Sequence, residues 1–117
     1  MKTLLLADDD TDFRQMFATI LKKRLNIEVL EAKDGLEAIE VYQKYKPDCV
    51  FLDVKMPIMD GETAYKKIKE IDPKAKIYFM SGFDDISFKD KVNSLGAQGY
   101  LAKPIVLDEV IKILQSI

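Results

Sequence analysis

The sequence predicts an α/β fold: a five-stranded parallel sheet with five helices on its two faces. Three observations carry this. Five short runs are continuously apolar rather than alternating, as strands buried on both faces must be. Between successive runs lie segments whose apolar residues recur at helical spacing. The joins are short and rich in charge, Pro and Gly, which suits repeated βα units.

The first run, Leu4-Leu5-Leu6-Ala7, stops at Asp8-Asp9-Asp10. Phe13, Met16, Phe17, Ile20 and Leu21 then form one amphipathic stripe, with Asp10, Thr11 and Asp12 as N-cap candidates. Residues 27–30 make the second strand, followed by Lys33-Asp34-Gly35 and a helix carrying Leu36, Ile39, Tyr42 and Tyr45, closed by Pro47. Cys49-Val50-Phe51-Leu52 is the third strand, and its apolar surroundings make Cys49 a core thiol. Asp60-Gly61 starts a third helix with Ala64, Ile68 and Ile71 on one side, ended by Asp72-Pro73. Ile77-Tyr78-Phe79-Met80 is the fourth strand. Residues 84–95 carry the least regular helical pattern, because Ile86, Phe88, Val92 and Leu95 do not share one stripe. Gly99-Tyr100-Leu101-Ala102 is the fifth strand, and Leu107, Val110, Ile111 and Leu114 mark the last helix.

Composition narrows the chemistry. With 117 residues the chain fits one domain, and a single Cys excludes an internal disulfide or a Cys-based zinc cage. Without His there is no Ser-His-Asp or Cys-His triad and no His-ligated haem. Eighteen Lys plus Arg against 20 Asp plus Glu give a net charge of −2, so no basic footprint for direct nucleic-acid binding exists. No apolar run reaches the ~20 residues of a membrane span, and the aspartate triplet cuts short any leader-like run at the N-terminus. The expected compartment is the cytoplasm.

In a parallel sheet every strand ends at the same edge, where ligands bind beside the reversal of strand order. Asp8, Asp9 and Asp10 follow the first strand, Asp53 ends the third, Ser81 follows the fourth and Lys103-Pro104 follows the fifth. Like charges a few Å apart repel by roughly several kcal/mol at an effective dielectric near 20, and a hard cation relieves that. Carboxylates, a cation, a lysine and a hydroxyl together suit phosphoryl transfer. Asp10 is read chiefly as a helix cap and Asp60 as a helix start.

These pieces carry a resemblance. Leu5-Leu6-Ala7-Asp8-Asp9, the run from Leu52-Asp53 through Lys55-Met56-Pro57 to Asp60-Gly61, Met80-Ser81-Gly82 and Tyr100-Leu101-Ala102-Lys103-Pro104 occur in this order, each at a strand end. The whole chain resembles a two-component response-regulator receiver domain. The resemblance implies a flavodoxin-like sheet of order 2-1-3-4-5 and a phosphoacceptor role for Asp53, fed by a phosphohistidine on a sensor histidine kinase or a histidine phosphotransfer protein. It implies Mg²⁺ (or Mn²⁺) held by Asp8, Asp9, Asp53 and the backbone carbonyl of Lys55. Ser81 matches the switch hydroxyl, Lys103 the phosphoryl-pairing lysine, Tyr100 the aromatic switch, and Lys103-Pro104 the family's cis peptide. Asp10 stands where many members have Glu, and Ser81 where many have Thr. Lys55 and Phe83 lie where the family tunes dephosphorylation. Helix 1 matches the surface on which members dock the phosphodonor, and Met16, Phe13 and Phe17 are core or partner-facing. The segment 84–95, Tyr100 and the last helix resemble the family's output face toward a downstream effector protein.

A start at Met1 and an end after the fifth helix lead to the expectation of a stand-alone receiver over residues 1–117 with no output domain. It is expected to act as a signalling protein rather than an enzyme, catalysing only its own phosphorylation and dephosphorylation at Asp53. Two other classes fit less well. An aspartate-nucleophile phosphohydrolase places its paired aspartates after the first strand and needs a longer chain; here position 55 is Lys. A flavin module would need a hydroxyl- and glycine-rich phosphate loop where this chain has three aspartates. A degenerate receiver used only as a scaffold is disfavoured because every motif residue is present.

Overall fold

The structure, a computed structural model, describes residues 1–82 and 88–117. Strands β1 (Lys2–Ala7), β2 (Ile27–Ala32), β3 (Cys49–Asp53), β4 (Ile77–Ser81) and β5 (Gly99–Ala102) form one sheet of order β2-β1-β3-β4-β5. Every pairing is parallel, with Leu5 opposite Leu30 and Val50, and Phe79 opposite Leu52 and Tyr100. Helices α1 (Thr11–Arg24), α2 (Gly35–Tyr45), α3 (Gly61–Ile71), α4 (Phe88–Leu95) and α5 (Leu107–Ser116) alternate with the strands. This is the flavodoxin-like order expected from the sequence. β2 runs two residues beyond the predicted 27–30, through Glu31 and Ala32, because β1 pairs with it as far as Ala7–Ala32.

Alternate residues of the continuous apolar strands serve two cores. Leu4, Leu6, Cys49, Phe51, Met80 and Leu101 pack with Phe17 and Leu21 of α1 and with Val110 and Leu114 of α5. Leu5, Ala7, Val50, Leu52, Ile77 and Phe79 pack on the other face with Ile39 and Tyr42, Ala64 and Ile68, and Val92. Each of the larger side chains is worth about 1.5–3 kcal/mol when fully buried. Cys49 is fully buried as expected, and burial pushes its thiol up to about 12. The thiolate needed for reaction is therefore scarce at neutral pH.

Caps set the helix starts. The side chains of Asp10, Asp34 and Asp60 accept from the backbone N–H of Phe13, Glu37 and Thr63 respectively. The cap reading of Asp10 and the helix-start reading of Asp60-Gly61 thus hold. α4 ends at Leu95 and is followed by Gly96 at φ 80°, the left-handed conformation that a helix C-terminus favours. Between the elements, the Tyr42 hydroxyl donates to Asp72 at 2.8 Å and the Tyr65 hydroxyl to the Leu95 carbonyl at 2.8 Å.

The helical stripes are narrower than the sequence suggested. Met16, Ile20, Leu36, Tyr45 and Ile71 are exposed, while Phe13 is half-buried. Each helix has sheet on one side only, so the outer edge of a wide apolar stripe stays in water. Of segment 84–95, Phe88 and Val92 are buried, whereas Asp84 and Ile86 lie outside the described residues.

One turn after β3 is strained. The Met59 N–H donates to the Pro57 carbonyl at 2.6 Å, leaving Ile58 at the centre of a γ-turn with φ 67°. A β-branched residue is disfavoured there, and this γ-turn form is uncommon. Ile58 is also 78% exposed, so its side chain recovers little by burial. Ile58→Asn should raise stability by about 0.5 kcal/mol, since Asn accepts a positive φ more readily than a β-branched residue. Urea unfolding checks this; an unchanged or lowered midpoint would contradict the strain.

Candidate functional site

The carboxyl edge of the sheet brings the predicted residues together. Asp8 and Asp9 follow β1, beside Asp53 at the end of β3, because β1 and β3 are neighbours where the strand order reverses. Ligand oxygens from Asp8, Asp9 and Asp53 all lie within 4.8 Å of one another. Asp8 and Asp53 are buried and Asp9 is exposed.

Lys103 reaches this cluster from beyond β5. Its Nζ donates to Asp8 at 2.7 Å and to Asp53 at 3.4 Å, and it lies 4.7 Å from the centre of the Phe13 ring. The Lys103-Pro104 peptide is cis, and the Lys103 N–H donates to the Ser81 carbonyl at 2.8 Å. Burial alone would lower the Lys103 pKa, but the hydrogen bond to Asp8 and the charges of Asp53 and Asp8 outweigh it and raise it.

For Asp53 burial wins. Desolvation and then the neighbouring charge of Asp8 push its carboxyl from 3.8 up to about 7, against the opposing pull of Lys103. One ammonium does not balance this carboxylate cluster. The donor set, hard oxygens on clustered carboxylates, fits Mg²⁺ or Mn²⁺, and added positive charge would relieve the imbalance felt by Asp53.

Ser81 is buried at the end of β4, next to Met80, the register partner of Asp53. Its hydroxyl hydrogen-bonds that of the half-buried Tyr100 on β5. Lys55 is exposed two residues after Asp53. Among the described residues, a Cβ added to Gly82 would meet nothing within 4 Å. Phe83 lies outside the described residues. Beside Lys103, Phe13, Met16, Phe17, Ile20, Pro104, Ile105 and Leu107 line an apolar groove of about 590 Å³.

Two residues at this edge were not singled out from sequence. Asp34 is a buried helix cap. Arg14, one turn into α1, donates through Nη1 to the Asp8 carbonyl at 2.7 Å and through Nε to Glu31 at 3.0 Å. An arginine one turn after an aspartate triplet was the available signal.

The response regulator receiver domain profile matches residues 4–115. The chain belongs to the response regulator receiver family. It is similar to the chemotaxis protein CheY of Bacillus subtilis (strain 168), at 37% identity over 111 residues, 95% of this chain and 92% of that protein. Sporulation initiation phosphotransferase F of the same organism is 31% identical over 107 residues, 92% of this chain and 86% of that one. Among solved structures, Vibrio cholerae chemotaxis protein CheY4 superposes with a TM-score of 0.87 at 30% identity, over 99% of this chain and 98% of that one. Receivers bind Mg²⁺ at an acidic pocket, and the Asp8, Asp9 and Asp53 cluster fits that description. Receivers of the CheY type work with histidine kinases and downstream effectors. Among the described residues no helix is long and apolar enough to cross a membrane.

Proposed function

We propose that this receiver accepts a phosphoryl group on Asp53 from a phosphohistidine of a sensor kinase or phosphotransfer protein in the cytoplasm, and passes the signal on through a changed surface. The observation that carries this is the convergence of three carboxylates, two of them (Asp8 and Asp53) bridged by Lys103, at the carboxyl edge of the sheet. A carboxylate oxygen of Asp53 forms the new O–P bond as the N–P bond to the donor imidazole breaks. Asp8, Asp9, Asp53 and the Lys55 carbonyl would hold Mg²⁺, which when bound would supply positive charge to keep Asp53 ionised and to offset charge on the phosphoryl oxygens.

The chain's own groups do the rest. Lys103 already spans Asp8 and Asp53, so a small swing brings its ammonium onto a phosphoryl oxygen. The Ser81 hydroxyl exchanges its Tyr100 partner for the phosphoryl group, and Tyr100 repacks on β5. That is a two-state surface biased by a local charge change. The apolar groove bordered by α1 suits a protein donor rather than a free metabolite. The chain promotes its own modification and its reversal, and turns over no other substrate.

Phosphoramidate, a small N–P donor, tests the reading. With Mg²⁺ the chain should gain one phosphoryl group, read by intact mass, and with EDTA none. No gain under conditions that modify a control receiver would contradict it.

A further inference from the structure

We propose that Arg14 is a positioning residue for the metal cluster: it fixes the peptide that joins Asp8 to Asp9, with Glu31 holding its guanidinium in place. The inference rests on the metal-site reading above. Of the three clustered carboxylates only Asp9 is exposed, so no surrounding core fixes its position. Its backbone is fixed instead. The Asp8 N–H donates to the Ala32 carbonyl at 3.0 Å, and the Asp10 N–H to Asp8 Oδ1 at 2.9 Å. The carbonyl of Asp8, in the peptide leading into Asp9, accepts from Arg14 Nη1 at 2.7 Å. The Arg14 side chain is only 11% exposed and Glu31 32%, so the pair is a packed bridge between α1, the end of β1 and edge strand β2. A planar guanidinium can serve both acceptors at once, whereas an ammonium is a point donor.

Two physical effects predict opposite outcomes. If Arg14 acted only by its charge, its removal would deepen the negative potential and tighten binding of a dication. If it positions Asp9, removal loosens the Asp8–Asp9 peptide and weakens binding. Arg14→Gln combined with Glu31→Gln leaves the net charge unchanged and separates the two.

The measurement is calorimetric titration of MgCl₂ into the metal-free full chain, with no phosphodonor present. The charge-neutral double variant should bind Mg²⁺ about tenfold more weakly than the wild type, the low end for losing a residue that orients metal ligands. Arg14→Lys should be weakened as well, because an ammonium lacks the planar fork that sets Nη1 on the Asp8 carbonyl and Nε on Glu31. Tyr42→Phe, which loses the Tyr42–Asp72 bond, should lower stability and leave Mg²⁺ affinity unchanged, so weakening by general destabilisation is distinguished. Should the double variant not fold, Arg14→Lys, which also leaves the net charge unchanged, carries the same comparison. Mg²⁺ affinity within twofold of wild type in the folded variants, or tighter binding, overturns the role of Arg14. A wild-type chain that binds no Mg²⁺ contradicts the metal site itself and takes the role of Arg14 with it.

Discussion

Asp53→Asn should raise the stability of the metal-free protein by on the order of 3 kcal/mol at pH 8, although it removes the proposed phosphoacceptor. The folded-state carboxyl titrates at about 7 against an ordinary 3.8, because burial and then Asp8 disfavour its charge. Between those values the folded protein holds a proton that the unfolded chain has released. Stability therefore falls as pH rises through that window, by at most roughly 1.4 kcal/mol for each pH unit crossed. Asn carries no charge and escapes the penalty. Urea unfolding in EDTA should show the variant's advantage largest at pH 8 and shrinking toward pH 4. Mg²⁺ should narrow it at pH 8 by binding the folded wild type. An advantage independent of pH would contradict this account of Asp53.

Gly61→Ala is expected to cost about 3 kcal/mol or more. A Cβ on Gly61 would lie 2.1 Å from the Asp53 carbonyl oxygen and 3.0 Å from the Val54 Cα. These are backbone atoms at the end of β3 and cannot turn away as a side chain would. The Gly61 N–H donates to the Val54 carbonyl at 2.9 Å, so the first turn of α3 is held against the peptide that carries Asp53. The substitution should therefore lower phosphoryl uptake as well as stability. Gly82→Ala is the matched control, because its added Cβ meets nothing within 4 Å among the described residues. It should stay within about 0.5 kcal/mol of wild type. Equal unfolding midpoints for the two variants would contradict the close packing at Gly61.

The strands were legible because a doubly covered sheet demands continuous apolarity, and runs such as Leu4 to Ala7 and Cys49 to Leu52 have no other use. The acidic edge was legible for a topological reason. Once the strands are parallel, Asp8, Asp9, Asp53, Ser81 and Lys103 must gather where the strands end. The misses have physical causes too. Apolar periodicity reports which side of a helix faces the sheet and not how far the sheet reaches, so Met16, Leu36 and Tyr45 were grouped with residues that are buried. Ile58 argues by its own preference against the positive φ it adopts. Arg14 was hidden because its acceptor is a main-chain carbonyl and its other partner sits on an edge strand seventeen positions away.

In the proposed mechanism Asp53, and no other carboxylate of the edge, takes the phosphoryl group. Wild type and Asp53→Asn should be incubated in parallel with acetyl phosphate and Mg²⁺, and intact mass followed by peptide mapping. One added phosphoryl group is expected on wild type, on the peptide containing Asp53, and none on the variant. Equal mass gain in the two proteins would contradict it.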